Sequence, residues 1–125
     1  MNLLLDTHVV LWALKTPERL NAKVRKALEN PGNVVLVSAI SGAEVFIKST
    51  LGKITLEGDF IRATETTGFD SLPLTLQHTE QLAKLPLHHR DPFDRLLVAQ
   101  ALHEGLTLVT HDRKFEPYGV KLLRT

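Results

Sequence analysis

At 125 residues the chain is sized for one domain, residues 1–125, and its 43% hydrophobic content is enough for a continuous core. With 15 Lys and Arg against 14 Asp and Glu the net charge is +1, so no global basic field announces a polyanion binder, and any such partner must be held locally. The absence of cysteine excludes a disulfide framework, a thiolate metal centre and thiol catalysis, and the opening apolar run is broken by Asp6 and His8, which favours a strand over a leader or membrane span and leads us to expect a cytoplasmic protein.

Asn2 to Leu5 is a short apolar run of the kind buried on both faces of a sheet, and it leaves Asp6 at its carboxyl end. Thr7 can cap a short helix through Val10, Leu11 and Leu14. A second helix follows, capped by Thr16 or Asn21, with Leu20, Val24, Ala27 and Leu28 as its apolar side. After Asn30, Pro31 and Gly32, Val34 to Val37 is the next buried strand. Ser38 or Ser41 opens a third helix that Gly52 closes. On it Ile40, Glu44, Ile47 and Leu51 share one stripe, which places an acid on a core-facing side.

A fourth helix around Phe60, Ile61 and Thr64, starting from Asp59, is allowed. Phe69 to Leu74 suits a short edge strand because Pro73 cannot donate to a ladder. Thr75 caps HTEQLAKL, and HRDPFDRLLVAQA then begins a helix with Asp91 as N-cap and Pro92 at the first helical position. Asp94 heads the buried stripe of Leu97, Val98, Ala101 and Leu102 on that helix. Leu106 to Thr110 is a strand ending just before Asp112, and Val120 to Leu123 is a final one. Strands alternating with helices of this length predict an α/β fold with a mostly parallel sheet covered on both faces. In such sheets ligands bind beyond the carboxyl ends of the strands, where Asp6, Asp94 and Asp112 converge.

Each acid has an ordinary alternative: Asp91 as a cap, Asp94 as a first-turn acid favoured by the helix dipole, Asp112 as a turn residue. Glu44 is harder to dismiss, because an acid on an apolar stripe needs a partner, and Lys48 at i+4 reaches only its margin. Taken together, clustered carboxylates repel unless a cation sits among them. Oxygen donors suit Mg²⁺ or Mn²⁺, one ion or two, whereas the six histidines show no zinc spacing. Such a site supports in-line displacement at phosphorus. His88 and His89 read as solvated or phosphate-facing. For Arg90, Arg95, Arg113 and Lys114, phosphate contact and an ordinary solvated face weigh equally.

The segments LLLDTHVVLW, SAISGAEVFIKSTLGKI, HRDPFDRLLVAQA and LVTHDRKFEPYGV, in this order and spacing, closely resemble PIN-domain ribonucleases of the VapC type, the toxins of type II toxin–antitoxin pairs. The resemblance covers nearly the whole chain. It implies a PIN-like sheet of order 3-2-1-4-5 and a Mg²⁺- or Mn²⁺-dependent endoribonuclease, a homodimer inhibited by a cognate antitoxin. It places the acidic quartet on Asp6, Glu44, Asp94 and Asp112, with Asp91 in the outer shell of the metal and Thr7, Ser38 and Thr110 as polar pocket positions. Ala43 departs from the pattern, since many relatives carry Trp just before the helix acid. Two rival functions remain at this level. One is a non-catalytic RNA- or protein-binding module holding a structural cation; the other is a phosphotransfer domain using Asp6, which lacks the usual DxD arrangement.

Overall fold

The computed structural model describes residues 1–125. Strand β1 (Asn2–Leu5) passes with no intervening loop into helix α1 (Thr7–Lys15), and a short 3-10 turn (Pro17–Arg19) leads to α2 (Ala22–Glu29). Then come β2 (Val34–Ser38), α3 (Ala39–Thr50), α4 (Phe60–Thr66), β3 (Asp70–Leu72) and α5 (Leu76–Ala83). The chain ends with α6 (Pro92–Glu104), β4 (Thr107–Thr110), a 3-10 turn (Arg113–Tyr118) and β5 (Leu122–Arg124).

The five strands form one sheet of order β3-β2-β1-β4-β5, and every pairing is parallel. The parallel sense is that expected from the alternation of strands and helices, and the order is the one the resemblance implies. β1 is central, which explains its unbroken Leu3-Leu4-Leu5 run: all three side chains are fully buried, because helices cover both faces. Alternation along the strand divides them. Leu3 and Leu5 join Val9, Val10, Val24 and Val109 in one core layer, while Leu4 joins Ile40, Leu97, Val98, Leu108 and Phe115 in the other.

Caps set the helix ends largely as the residues predict. Asn21 caps α2, Asp59 caps α4 and Thr75 caps α5 in a capping box with His78. Of the two serines offered for α3, Ser38 is the cap, its Oγ accepting from Ile40 N at 2.9 Å. Thr7 is not the cap of α1. Because β1 enters the helix directly, the strand-end residue Asp6 takes that role, accepting from Val9 N at 2.9 Å. At the far end of α6, Gly105 adopts the left-handed conformation (φ 67°) that stops the helix. The α3 stripe is only half core-facing: Ile40 and Glu44 are buried under α1 and α6, whereas Ile47 and Leu51 are 48% and 64% exposed.

A buried polar chain ties α6 to β2 and α5. Ser38 Oγ donates to Gln100 Oε1 (2.5 Å), Gln100 Nε2 lies 3.4 Å from His78 Nδ1, and His78 Nε2 pairs with Glu104 at 2.8 Å. Both Gln100 and His78 are fully buried, so this chain fixes the position of α6, and with it Asp94, relative to the sheet. No helix is long and apolar enough to cross a membrane.

Candidate active site

Asp6 lies one residue past the end of β1, and the register of the neighbouring strand brings Thr110 beside it. Thr110 Oγ1 donates to Asp6 Oδ2 and accepts from Asp112 N at 3.0 Å, so one hydroxyl links two of the acids. Glu44 reaches the same place from α3, where Thr7 Oγ1 donates to its Oε1 (2.7 Å) and Lys48 Nζ to its Oε2 (2.5 Å). Asp94 arrives from the first turn of α6, oriented by the Asp91 cap, whose Oδ1 accepts from Phe93 N and Asp94 N at 2.9 and 3.1 Å.

Asp6, Glu44 and Asp94 are 4%, 5% and 8% exposed, and together with Asp91 and Asp112 they line a pocket of about 50 Å³ that has no apolar wall. Thr7, His8, Lys48 and Lys114 complete it. Carboxylates packed this way titrate abnormally. Burial raises Asp6 above the ordinary carboxylate range, against the opposing pull of its bonds from Thr110 and Val9 N. It also pushes Asp94 up to about 6, although Lys114 pulls the other way. At Asp112 burial acts upward too, but the backbone N–H and ammonium of Lys114 outweigh it and hold the group low.

Lys114 Nζ stands between two of these acids, 2.5 Å from Asp94 Oδ2 and 3.3 Å from Asp112 Oδ2. Asp94 Oδ2 is otherwise buried without a hydrogen-bond donor. With Lys48 on Glu44 and Lys114 on Asp94, no three acidic or histidine side chains stand close enough together to grip an ion as they are. The donor set nevertheless fits a hard divalent cation: it is all oxygen, it carries more negative charge than two lysines neutralise, and one buried carboxylate oxygen touches nothing but a cation. Because a cation must compete with the proton on Asp94, Mn²⁺ is expected to raise the melting temperature more at pH 7.5 than at pH 5, across the value of about 6. A thermal-shift titration showing equal stabilisation at both pH values would count against ion binding at Asp94.

The candidate residues from the sequence divide into those the fold brings together and those it does not. The quartet, Asp91, Thr7 and Lys114 line the pocket. Thr110 sits behind Asp6 as its donor and is not part of the wall. Ser38 donates to Gln100 and lines the separate groove beside α3 and α4, not the acidic pocket. Arg95 bonds to Pro86 O at 2.8 Å and reaches Tyr118 Oη, Arg90 and Arg113 are exposed, and none of the three lines the pocket. His88 and His89 meet Tyr118 edge-on at 4.9 and 5.3 Å. His8 was missed by reading the residues, although its place two residues after a strand-end acid is a usable signal. Asp91 plays two parts that substitution separates. Asp91→Asn keeps a competent cap, whereas Asp91→Ala is expected to cost about 1 kcal/mol in chemical denaturation.

The PIN domain family model matches residues 3–121. The chain belongs to the PIN-domain family. This PIN protein is 29% identical over 118 residues to Ribonuclease VapC22 of Mycobacterium tuberculosis, a match covering 92% of this chain and 90% of that one. Its fold is that of a chain in the structure of VapBC2 from Rickettsia felis bound to a DNA fragment from their promoter (TM-score 0.75, 18% identity, 99% of this chain and 98% of that one). The same holds for FitAcB from Neisseria gonorrhoeae (TM-score 0.68, 23% identity, 98% and 96% covered). VapBC-5 of Mycobacterium tuberculosis aligns with a TM-score of 0.64 at 20% identity, over 99% of this chain and 98% of that one. At the departure from the VapC-like pattern, Ala43 and Gly42 line a groove of about 560 Å³ between α3 and α4.

Proposed function

We propose that this PIN protein is a divalent-metal-dependent endoribonuclease and the toxin of a type II toxin–antitoxin pair, acting in the cytoplasm as a homodimer held in check by an antitoxin. The observation that carries the reading is the pocket in which Asp6, Glu44, Asp94, Asp112 and Asp91 meet without an apolar wall. The relative named Ribonuclease VapC22 supports the substrate class, and the toxin–antitoxin complexes of like fold support the partner.

Asp6, Glu44, Asp94 and Asp112 would hold one or two Mg²⁺ or Mn²⁺ ions, with Asp91 in the outer shell. When bound, such ions lower the pKa of an attacking water and offset the charge building on the phosphoryl oxygens. The chain's own residues do the rest. Thr110 and Thr7 fix the two most enclosed acids by donating to Asp6 and Glu44. Asp94, whose carboxyl burial raises to about 6 in the ion-free protein, is ionised at pH 7 and so open to an ion. Lys48 and Lys114, at the rim, are the cations best placed to face a phosphate. The exposed apolar side chains Phe46, Ile47, Leu51 and Ile61 lie together on α3 and α4 and offer a partner a surface to cover. The test is cleavage of end-labelled single-stranded RNA by the purified protein, expected with Mn²⁺ and absent in EDTA. Tight RNA binding without turnover under every divalent ion would instead favour a non-catalytic module.

A further inference from the structure

Beside the acidic pocket stands a cluster of rings that the chemistry above does not use. His8, which lines the pocket, is exposed and shares a face of α1 with Trp12 at i+4, their ring centroids 6.2 Å apart. His111, between Thr110 and Asp112 at the end of β4, completes the group, 5.5 Å from His8 and 4.7 Å from Trp12. The guanidinium of Arg19, exposed on the 3-10 turn, lies 4.6 Å from the Trp12 centroid. Two rings thus back an exposed imidazole beside a site read as cutting RNA, and a guanidinium sits on the tryptophan of the pair.

We infer that His8, backed by Trp12 and His111, is a stacking platform that seats one unpaired nucleobase of a single-stranded RNA beside the scissile phosphate, with Arg19 flanking it. Every base has a π-face, so such a platform binds without reading sequence, and it demands an unstacked strand. This rests on the endoribonuclease reading. It adds what that reading lacks: a reason for the site to prefer single strands or loops over duplex, in which the bases are already stacked. His8 is a positioning residue here, since it holds the base and not the reacting atoms.

Trp12 is the only tryptophan in the chain, so its fluorescence reports on the platform directly. The experiment titrates the full-length protein, with Ca²⁺ in place of Mg²⁺ and strand integrity checked on a gel, with a mixed-sequence six-nucleotide RNA and with an abasic ribose-phosphate strand of equal length. The RNA is expected to quench Trp12 and the abasic strand to leave it bright. His8→Ala should weaken binding of the RNA about tenfold while leaving the abasic strand unaffected, and His8→Phe should restore it. Because His8 is exposed, these variants should melt with the wild type, which separates a binding loss from unfolding. Equal quenching by both strands, or RNA binding unchanged in His8→Ala, overturns the platform while Mn²⁺-dependent cleavage leaves the nuclease reading standing. If the wild type neither binds nor cuts RNA, the nuclease reading falls and the platform with it.

Discussion

Asp94→Asn is expected to reduce Mn²⁺-dependent RNA cleavage at least about a hundredfold while leaving the protein folded. The two halves of that result come from one feature. Asp94 is buried, its Oδ2 meets only the ammonium of Lys114, and burial raises its pKa to about 6. A carboxyl whose folded-state pKa lies above its unfolded value is bound more favourably by the fold when protonated. In the ion-free protein its contribution therefore weakens stability progressively as pH rises from about 4 through about 6, and the loss is complete above that value. The neutral amide removes this penalty. Without added metal, Asp94→Asn should melt no lower than the wild type at pH 8, and stabilisation by Mn²⁺ should shrink. A variant that keeps full metal-dependent activity removes Asp94 from the site. One that unfolds at pH 8 contradicts the claim that its charge is held against the preference of the fold.

Phe115→Ala should be the most destabilising single substitution at the rim of the site, lowering the unfolding free energy by about 3–5 kcal/mol and the melting temperature by about 10–20 °C. The ring is 1% exposed and packs with Leu4, Ile40, Leu97 and Leu108 under the face of the sheet that α6 covers. It also anchors the 3-10 turn that carries Lys114, whose Nζ lies 5.7 Å from the ring centroid. Truncation leaves a cavity where β4, α6 and this turn meet. Leu76→Ala, at a side chain 83% exposed, is the control and should stay within about 0.5 kcal/mol of the wild type by urea denaturation. Similar losses for both would mean that the buried layer around Leu4 does not contribute as its packing implies.

The pocket also shows how far residue types alone carry a functional reading. Charge and periodicity singled out Asp6, Glu44, Asp94 and Asp112, and all four line one cavity. The same reasoning treated Lys114 as equivalent to Arg90, Arg95 and Arg113. Of these four, Lys114 alone lines the pocket. Nothing in the local pattern separates them, because the direction of a long flexible side chain is set by what lies across the fold.

What the amino-acid sequence determined by itself is whatever depends on neighbours within a turn or two. Asp91-Pro92 starts α6, Thr75 caps α5, the three leucines of β1 require cover on both faces, and Gly105 stops a helix. The physical reason is that caps and periodicity act over about four residues, where chain connectivity already supplies the proximity. Tertiary structure alone decided which polar groups meet. Thr110 serves Asp6 from 104 positions away because β4 lies beside β1, while Ser38, on the other neighbouring strand, is drawn to Gln100. The strand-to-helix junction made Asp6 the cap in place of Thr7, and packing under α1 and α6 buried Glu44 while leaving Ile47 and Leu51 on the same stripe exposed. Asp6 and Asp91 are caps that also line the pocket, and the sheet order, by setting β4 beside β1, brings Asp6 and Asp112 together there and so fixes the cost of burial and the donors that offset it.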